Sequence, residues 1–199
     1  MTRNVDVHKE LIHTRSIKTQ VFRRDDGLWE IEAYLLDTKG KDFHLASGVK
    51  KQGEPIHEMK LWVLIDTQFN ILDASSESLA VPYEGSCERI NGDYKKLIGL
   101  NLVQGFRKSV HSLLSGIQGC SHITELCSVL PTTAIQAFAG EVIKIRDHAE
   151  QNSEEMPFQL NRCHALRTDG EVVKKYHPKW FGTPLEPREI PKKRGSDSD

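Results

Sequence analysis

The chain changes its hydrophobic period once along its length. In "LWEIEAYLLD" the residues Trp29, Ile31, Ala33 and Leu35 fall on one side, and Glu30, Glu32 and Tyr34 on the other. That alternation is what a half-buried strand requires, because successive side chains leave opposite faces of a sheet. "IKTQVFRR" precedes it through "DDGL", where Asp26-Gly27 signals a hairpin. "MKLWVLID" repeats the pattern, with Met59, Leu61, Val63 and Ile65 set against Lys60, Trp62 and Leu64. A turn near Thr67-Gln68 then returns the chain through "FNILDASSES". These runs predict an antiparallel sheet of about four strands with one face to cover. Trp29 and Trp62 are both expected in sheet-face core.

Beyond the sheet the apolar residues recur every three or four positions. Leu102, Phe106, Val110, Leu113 and Leu114 make one stripe within residues 92–114. Ile123, Leu126, Cys127, Leu130, Ala134, Ala137 and Phe138 make a second. Pro131 interrupts this stripe, which predicts either a kinked helix or two helices. Residues 37–55 read as a long glycine- and lysine-rich connection, and "QNSEEMP" as a break. "CHALRTDGEVVKKY" reads as a hairpin turned at Asp169-Gly170. Residues 1–14 are read as a polar arm, 15–181 as one domain and the proline-rich, charged residues 182–199 as a disordered tail. Strands first and helices afterwards imply an α+β fold, the helices packed on one sheet face.

Bulk properties narrow the function classes. A chain of 199 residues can bury a sizeable core, so it needs neither metal nor disulfides merely to fold. A net charge of −1 gives no general electrostatic reason to expect nucleic acid or an anionic membrane as partner. No apolar run approaches the roughly 20 residues of a membrane span, and the N-terminus has no apolar secretion-signal core. A cytoplasmic protein with reduced thiols is the expectation. Cys87, Cys120, Cys127 and Cys163 are then free, catalytic or metal-bound rather than paired. No phosphate-cradling glycine loop, nucleophile elbow or zinc-protease motif is present.

The chemically suggestive stretch is "LSGIQGCSHITELCSVLP". Residues two apart on a helix point about 200° away from each other, so Cys120 and His122 can converge only where the helix is just beginning. Gly119 supplies backbone freedom there, and a helix N-terminus favours a negatively charged ligand atom. A metal site needs further ligands. His57, in the loop leading into a strand, and Cys87, between sheet and helix, are the candidates. His57, Cys87, Cys120 and His122 would make a two-sulfur, two-nitrogen set suited to zinc, with iron or an iron–sulfur cluster as the alternative. Glu58 and Glu125 are the candidate proton carriers beside it. Cys127 falls on the apolar stripe and is expected in the core, and Cys163 with His164 in a structural strand.

"RRDDGLWEIEAYLLDTK", "GEPIHEMKLWVLID" and "GCSHITEL…TTAIQAF" together resemble a bacterial family, domain of unknown function 2889, over roughly Arg15 to Pro178. The resemblance implies a single-domain bacterial protein and no particular activity. More distantly, "HEMKLWVLID…NILDASSES" followed by the Cys120–His122 helix looks like the sheet hairpin and late Cys/His pair of NifU/IscU-type iron–sulfur scaffolds. That likeness implies a scaffold-like fold with His57, Cys87, Cys120 and His122 as ligands. The resulting expectation is a metal-binding protein with one mixed Cys/His site. The alternatives are a metal-dependent enzyme activating a small molecule by Lewis acidity, and a metal-free domain that binds a small molecule or a protein partner. A thiol-nucleophile enzyme using Cys120 and His122 is disfavoured, because no third group is evident to orient the histidine.

Overall fold

A computed structural model describes residues 7–143 and 156–184. The chain divides into two compact units, Met1–Ile143 and Lys144–Asp199, where the sequence suggested one domain over 15–181. The expected disordered tail lies outside the described residues from 185 onward.

In the first unit β1 (His13–Arg23), β2 (Trp29–Lys39), β5 (Pro55–Ile65) and β6 (Ile71–Ala80) form one antiparallel sheet in the order β1-β2-β5-β6. The α+β architecture and the four strands follow the alternation read from the sequence. The long 37–55 connection carries a small hairpin of its own, β3 (Phe43–Leu45) paired with β4 (Gly48–Lys50). β1 starts two residues inside the segment read as an arm, because His13 and Thr14 pair with Lys39 and Thr38.

Trp29, Ile31, Ala33 and Leu35 of β2 and Met59, Leu61, Val63 and Ile65 of β5 are all buried on one sheet face. Trp62 has the opposite parity from Met59 and Leu61. It lies half-buried on the outer face beside Tyr34 and Lys60, so only Trp29 belongs to the main core. A 3-10 segment, Cys87–Leu97, packs against β6, and α1 (Phe106–Leu114) and α2 (Ser121–Phe138) complete the covering layer. The helix expected over 92–114 is therefore split. Gly99 and Gly105 adopt left-handed backbone, and the Asn101 side chain accepts from the N–H groups of Val103 and Gln104, which turns the chain between the two pieces.

α2 lies over β1, β2 and β5 and runs unbroken through Pro131. The hydroxyls of Thr132 and Thr133 donate to the Val129 carbonyl at 3.1 and 2.9 Å, giving local polar support beside the proline. Its apolar stripe meets the sheet through Phe138, whose ring lies 4.9 Å from Trp29 and 4.6 Å from Phe69, centroid to centroid.

The second unit corrects one expectation. "CHALRTDGEVVKKY" forms turns followed by α3 (Glu171–Tyr176), and no hairpin. Gly170 has φ −102° and serves as the N-cap, so Asp169-Gly170 opens a helix instead of reversing a strand. Cys163 and His164 accordingly lie in a turn region. The Asn161 carboxamide oxygen accepts from both the Thr168 N–H and its hydroxyl, which fixes that turn.

Candidate metal centre

The core face of the sheet is apolar for most of its length and turns polar at one end. Ile17 is paired with Leu35, and Leu35 with Met59; one step of two residues further along, Arg15 is paired with Asp37, and Asp37 with His57. Leu35 and Met59 are buried while Ile17, on the edge strand, is exposed; the same alternation aims Asp37 and His57, with Arg15 alongside, toward the helix layer. Beyond this row the β2–β5 register shifts by a bulge at Asp37/Thr38, which ends the regular pairing.

α2 brings the remaining residue. Its N-terminus is pinned by Tyr94, a fully buried side chain of the 3-10 segment. The Tyr94 hydroxyl donates to the Cys120 carbonyl at 2.9 Å, accepts from the Cys120 N–H at 3.0 Å and lies 2.8 Å from Thr124 Oγ1. Burial pushes this phenol up to about 12, so it stays a neutral donor. Held in this way, the first turn of α2 sets His122 over Asp37.

The result is a carboxylate, 2 % exposed, surrounded by cationic and imidazole groups. Arg15 Nε and Nη2 each donate to one Asp37 oxygen at 2.8 Å. His57 Nδ1 lies 3.2 Å and His122 Nε2 3.5 Å from the same oxygen, Oδ2, and His13 Nε2 lies 3.4 Å from Oδ1. The His57 and His122 rings stack with centroids 3.6 Å apart and planes at 24°. Burial opposes ionisation of Asp37 most strongly, but the two-pronged bond and charge of Arg15, with the fields of His122 and His13, together outweigh it and hold the carboxyl below its ordinary range. Burial lowers both imidazoles, and with His57 beside it His122 falls to about 4.

A pH dependence follows with a definite sign. Between about pH 6.5 and about 4 the unfolded chain protonates His122 while the folded chain does not. Stability is therefore full above that window and falls as the pH drops through it, and the depressed His57 acts in the same direction. Urea midpoints of chelator-treated protein should decline between pH 7 and pH 5, with the His122 ring resonances still those of neutral imidazole at pH 5. Titration of those resonances near pH 6.5 would contradict the burial.

Among the described residues, the His, Cys, Asp and Glu side chains whose ligand atoms all lie within 4.8 Å of one another are Asp37, His57 and His122. The two predicted histidines are thus brought together and the two predicted cysteines stay outside. Cys120 Sγ lies 3.8 Å from His122 Nδ1, on the ring edge away from Asp37. Cys87 opens the 3-10 segment and packs against the edge of the core. Glu58 has the parity opposite to His57 and accepts from the Tyr34 hydroxyl at 2.7 Å, away from the cluster. Glu125 sits one turn past His122 on an exposed face of α2, where its field still reaches Arg15. Cys127 is buried as expected.

Asp37, Arg15 and His13 were missed. The signal was present in the spacing, since Asp37 is the next in-phase position after Trp29, Ile31, Ala33 and Leu35. A carboxylate on a continuing apolar face has to be neutralised by neighbours that the same strand geometry brings alongside.

No helix among the described residues is long and apolar enough to cross a membrane. No curated protein and no solved structure matches the chain, so the narrower resemblance to iron–sulfur scaffolds gains no support from a structural neighbour. The family described as Protein of unknown function (DUF2889) matches residues 13–136, more than half of the chain, and the chain belongs to that family.

Proposed function

We propose that Asp37, His57 and His122 bind one divalent metal ion, zinc first and ferrous iron second, in a site that activates a small molecule. The observation that carries this reading is that two ring nitrogens from separate elements aim at one oxygen of a buried carboxylate, at 3.2 and 3.5 Å. Ligand atoms about 2.1 Å from a tetrahedral zinc ion lie about 3.4 Å apart, so these separations suit neighbouring ligands of one ion. Two histidines and a carboxylate also form a donor set used where one or more coordination positions stay open to water or substrate. The bound ion would supply Lewis acidity there.

The chain's own residues have separable roles in this reading. Arg15 keeps Asp37 ionised and fixes its plane. Ligation through Nε2 leaves the proton of His122 on Nδ1, facing Cys120 Sγ and, at 3.4 Å, Ser121 Oγ, either of which orients the ring. Iron–sulfur scaffolding draws less support, because it needs thiolates on the ion and the cysteine sulfurs lie outside the group.

Metal analysis of untagged protein purified anaerobically tests the reading. Wild-type protein should carry about one equivalent of zinc or iron. Asp37→Asn and His122→Ala should lose it while keeping their far-ultraviolet circular dichroism, and Cys120→Ser should retain it. Wild-type protein that neither carries nor takes up zinc or ferrous iron would overturn the proposal and leave the cluster as a structural charge network. Loss of metal in Cys120→Ser alone would return the sulfur to the ligand set.

A second reading is favoured by one further geometric fact. Cys120 Sγ, His122 Nδ1, His122 Nε2 and Asp37 Oδ2 follow one another through separations of 3.8 and 3.5 Å, the order of a thiol, its base and the group that orients the base. The third member that the sequence did not reveal is therefore Asp37. Rapid alkylation of Cys120 by iodoacetamide in metal-free protein, slowed severalfold in His122→Ala, would favour this reading over the metal centre.

A further inference from the structure

A cavity of about 480 Å³ opens between α1 and α2, and its lining contains none of Asp37, His57 and His122. We infer that this cavity is a binding site for a small amphipathic carboxylate, with the apolar body against α1 and the carboxylate at Arg107.

The helix geometry of α1 builds both halves of the site. Phe106, Val110 and Leu114 follow one another at four-residue spacing and, with Cys127 from α2, form the apolar floor. Arg107 and His111, also four apart, make a second row on the rim. The volume falls within the range of small-molecule pockets, which combine an apolar lining with a few placed polar groups.

Charge selects the head group. Arg107 makes no hydrogen bond or ion pair with the described residues, so its guanidinium fork is available to a planar anion. His111 adds a second nitrogen donor one turn on. Glu125 is the carboxylate of the lining, and it lies in the field of Arg15. A lining with one open guanidinium and one carboxylate suits a singly charged carboxylate better than a multiply charged phosphate. The cavity also reaches Ser121, whose hydroxyl is 3.4 Å from His122 Nδ1, so a ligand there would lie beside the Asp37 cluster while touching none of its three members.

Calorimetric titration with octanoate, octanol and octylamine tests the inference, using the full chain both as purified and after chelation. Octanoate should bind saturably in both preparations and at least about fivefold more tightly than octylamine. Arg107→Glu should weaken octanoate by about tenfold, with little effect on octanol, since the apolar floor is unchanged. Ser128→Phe, which puts a ring into the cavity from α2, should weaken octanoate and octanol alike. Absence of saturable octanoate binding would overturn the inference, as would equal affinity for octylamine or indifference to both substitutions. Because chelated protein is included, loss of the metal reading alone leaves the octanoate result standing.

Discussion

Arg15→Met is expected to destabilise the metal-free protein by about 3 kcal/mol, more than its position on a half-exposed edge strand suggests. The reason is an asymmetry in burial. The Arg15 side chain is 39 % exposed and its Asp37 partner 2 %. Removing the arginine leaves a buried carboxylate without its bidentate donor, and stranded charges of that kind typically cost about 3–5 kcal/mol. The value is set at the low end because His13, His57 and His122 remain within reach of the carboxylate. Removing the carboxylate instead leaves a guanidinium that can turn toward water, so Asp37→Asn should cost less than Arg15→Met. Two further results belong to the same argument. The double substitution Arg15→Met with Asp37→Leu should recover much of the loss, since no charge is then buried alone. Saturating zinc should also recover part of it in Arg15→Met, because a bound cation replaces the missing positive charge and binds only the folded state. Urea unfolding of the variants with chelator and with zinc measures all of this. A cost below about 0.5 kcal/mol in Arg15→Met would show that the ion pair contributes no more than an ordinary surface pair.

That asymmetry also explains which parts of the site could be read in advance. The sheet was legible because its face alternates cleanly from Trp29 to Leu35 and from Met59 to Ile65, and a period of two admits few other structures. His57 and His122 were legible because each sits beside an abrupt change of pattern, one in the first turn-to-strand residues of β5 and the other at a helix start. Asp37 was hidden by its setting in "LLDTKG", where an aspartate ahead of lysine and glycine looks like the beginning of a loop. Only the register of β2 against β1 and β5 shows that the strand continues through it. The cysteines stood out for the opposite reason. Thiols carry a strong chemical signal in any sequence, whereas what decides ligation is direction, and the His122 ring stands between Cys120 and the carboxylate. The outer position of Glu58 was implicit in the alternation, since adjacent strand residues cannot share a face. The split of the first predicted helix and the loss of the Asp169-Gly170 hairpin both came from glycines whose backbone conformation is set by the surrounding chain.

Gly119→Ala is expected to cost about 3 kcal/mol and to weaken metal binding, although residue 119 touches no ligand. The backbone here is extended, with φ −154° and ψ 172°, so any residue could adopt it and conformational freedom is not what the glycine supplies. Space is the constraint. A Cβ at this position would lie 2.1 Å from the Leu114 carbonyl oxygen and 2.9 Å from its carbon. Both are backbone atoms at the end of α1, and they cannot rotate aside as a side chain would. The strand of chain on the other side has no slack either, because Tyr94 holds the N–H and the carbonyl of Cys120, the next residue. An added methyl must therefore push α1 and the start of α2 apart, an overpacking typically worth about 1–3 kcal/mol. The upper value applies because the Tyr94 hydrogen bonds are lost with it. His122 lies three residues on, so its nitrogen should leave the 3.5 Å position over Asp37. Gly116→Ala is the informative comparison. That glycine has φ 59° with nothing within 4 Å of an added Cβ, so its penalty is backbone strain of about 1 kcal/mol, with metal affinity unchanged. Urea midpoints and zinc titrations of the two variants separate the effects. If both lose the same stability and neither loses metal, close packing at Gly119 does not position His122. If Gly119→Ala alone loses both, the glycine ahead of the Cys120–His122 pair serves by being small, letting α2 begin close enough to the end of α1 for its second residue to reach the sheet.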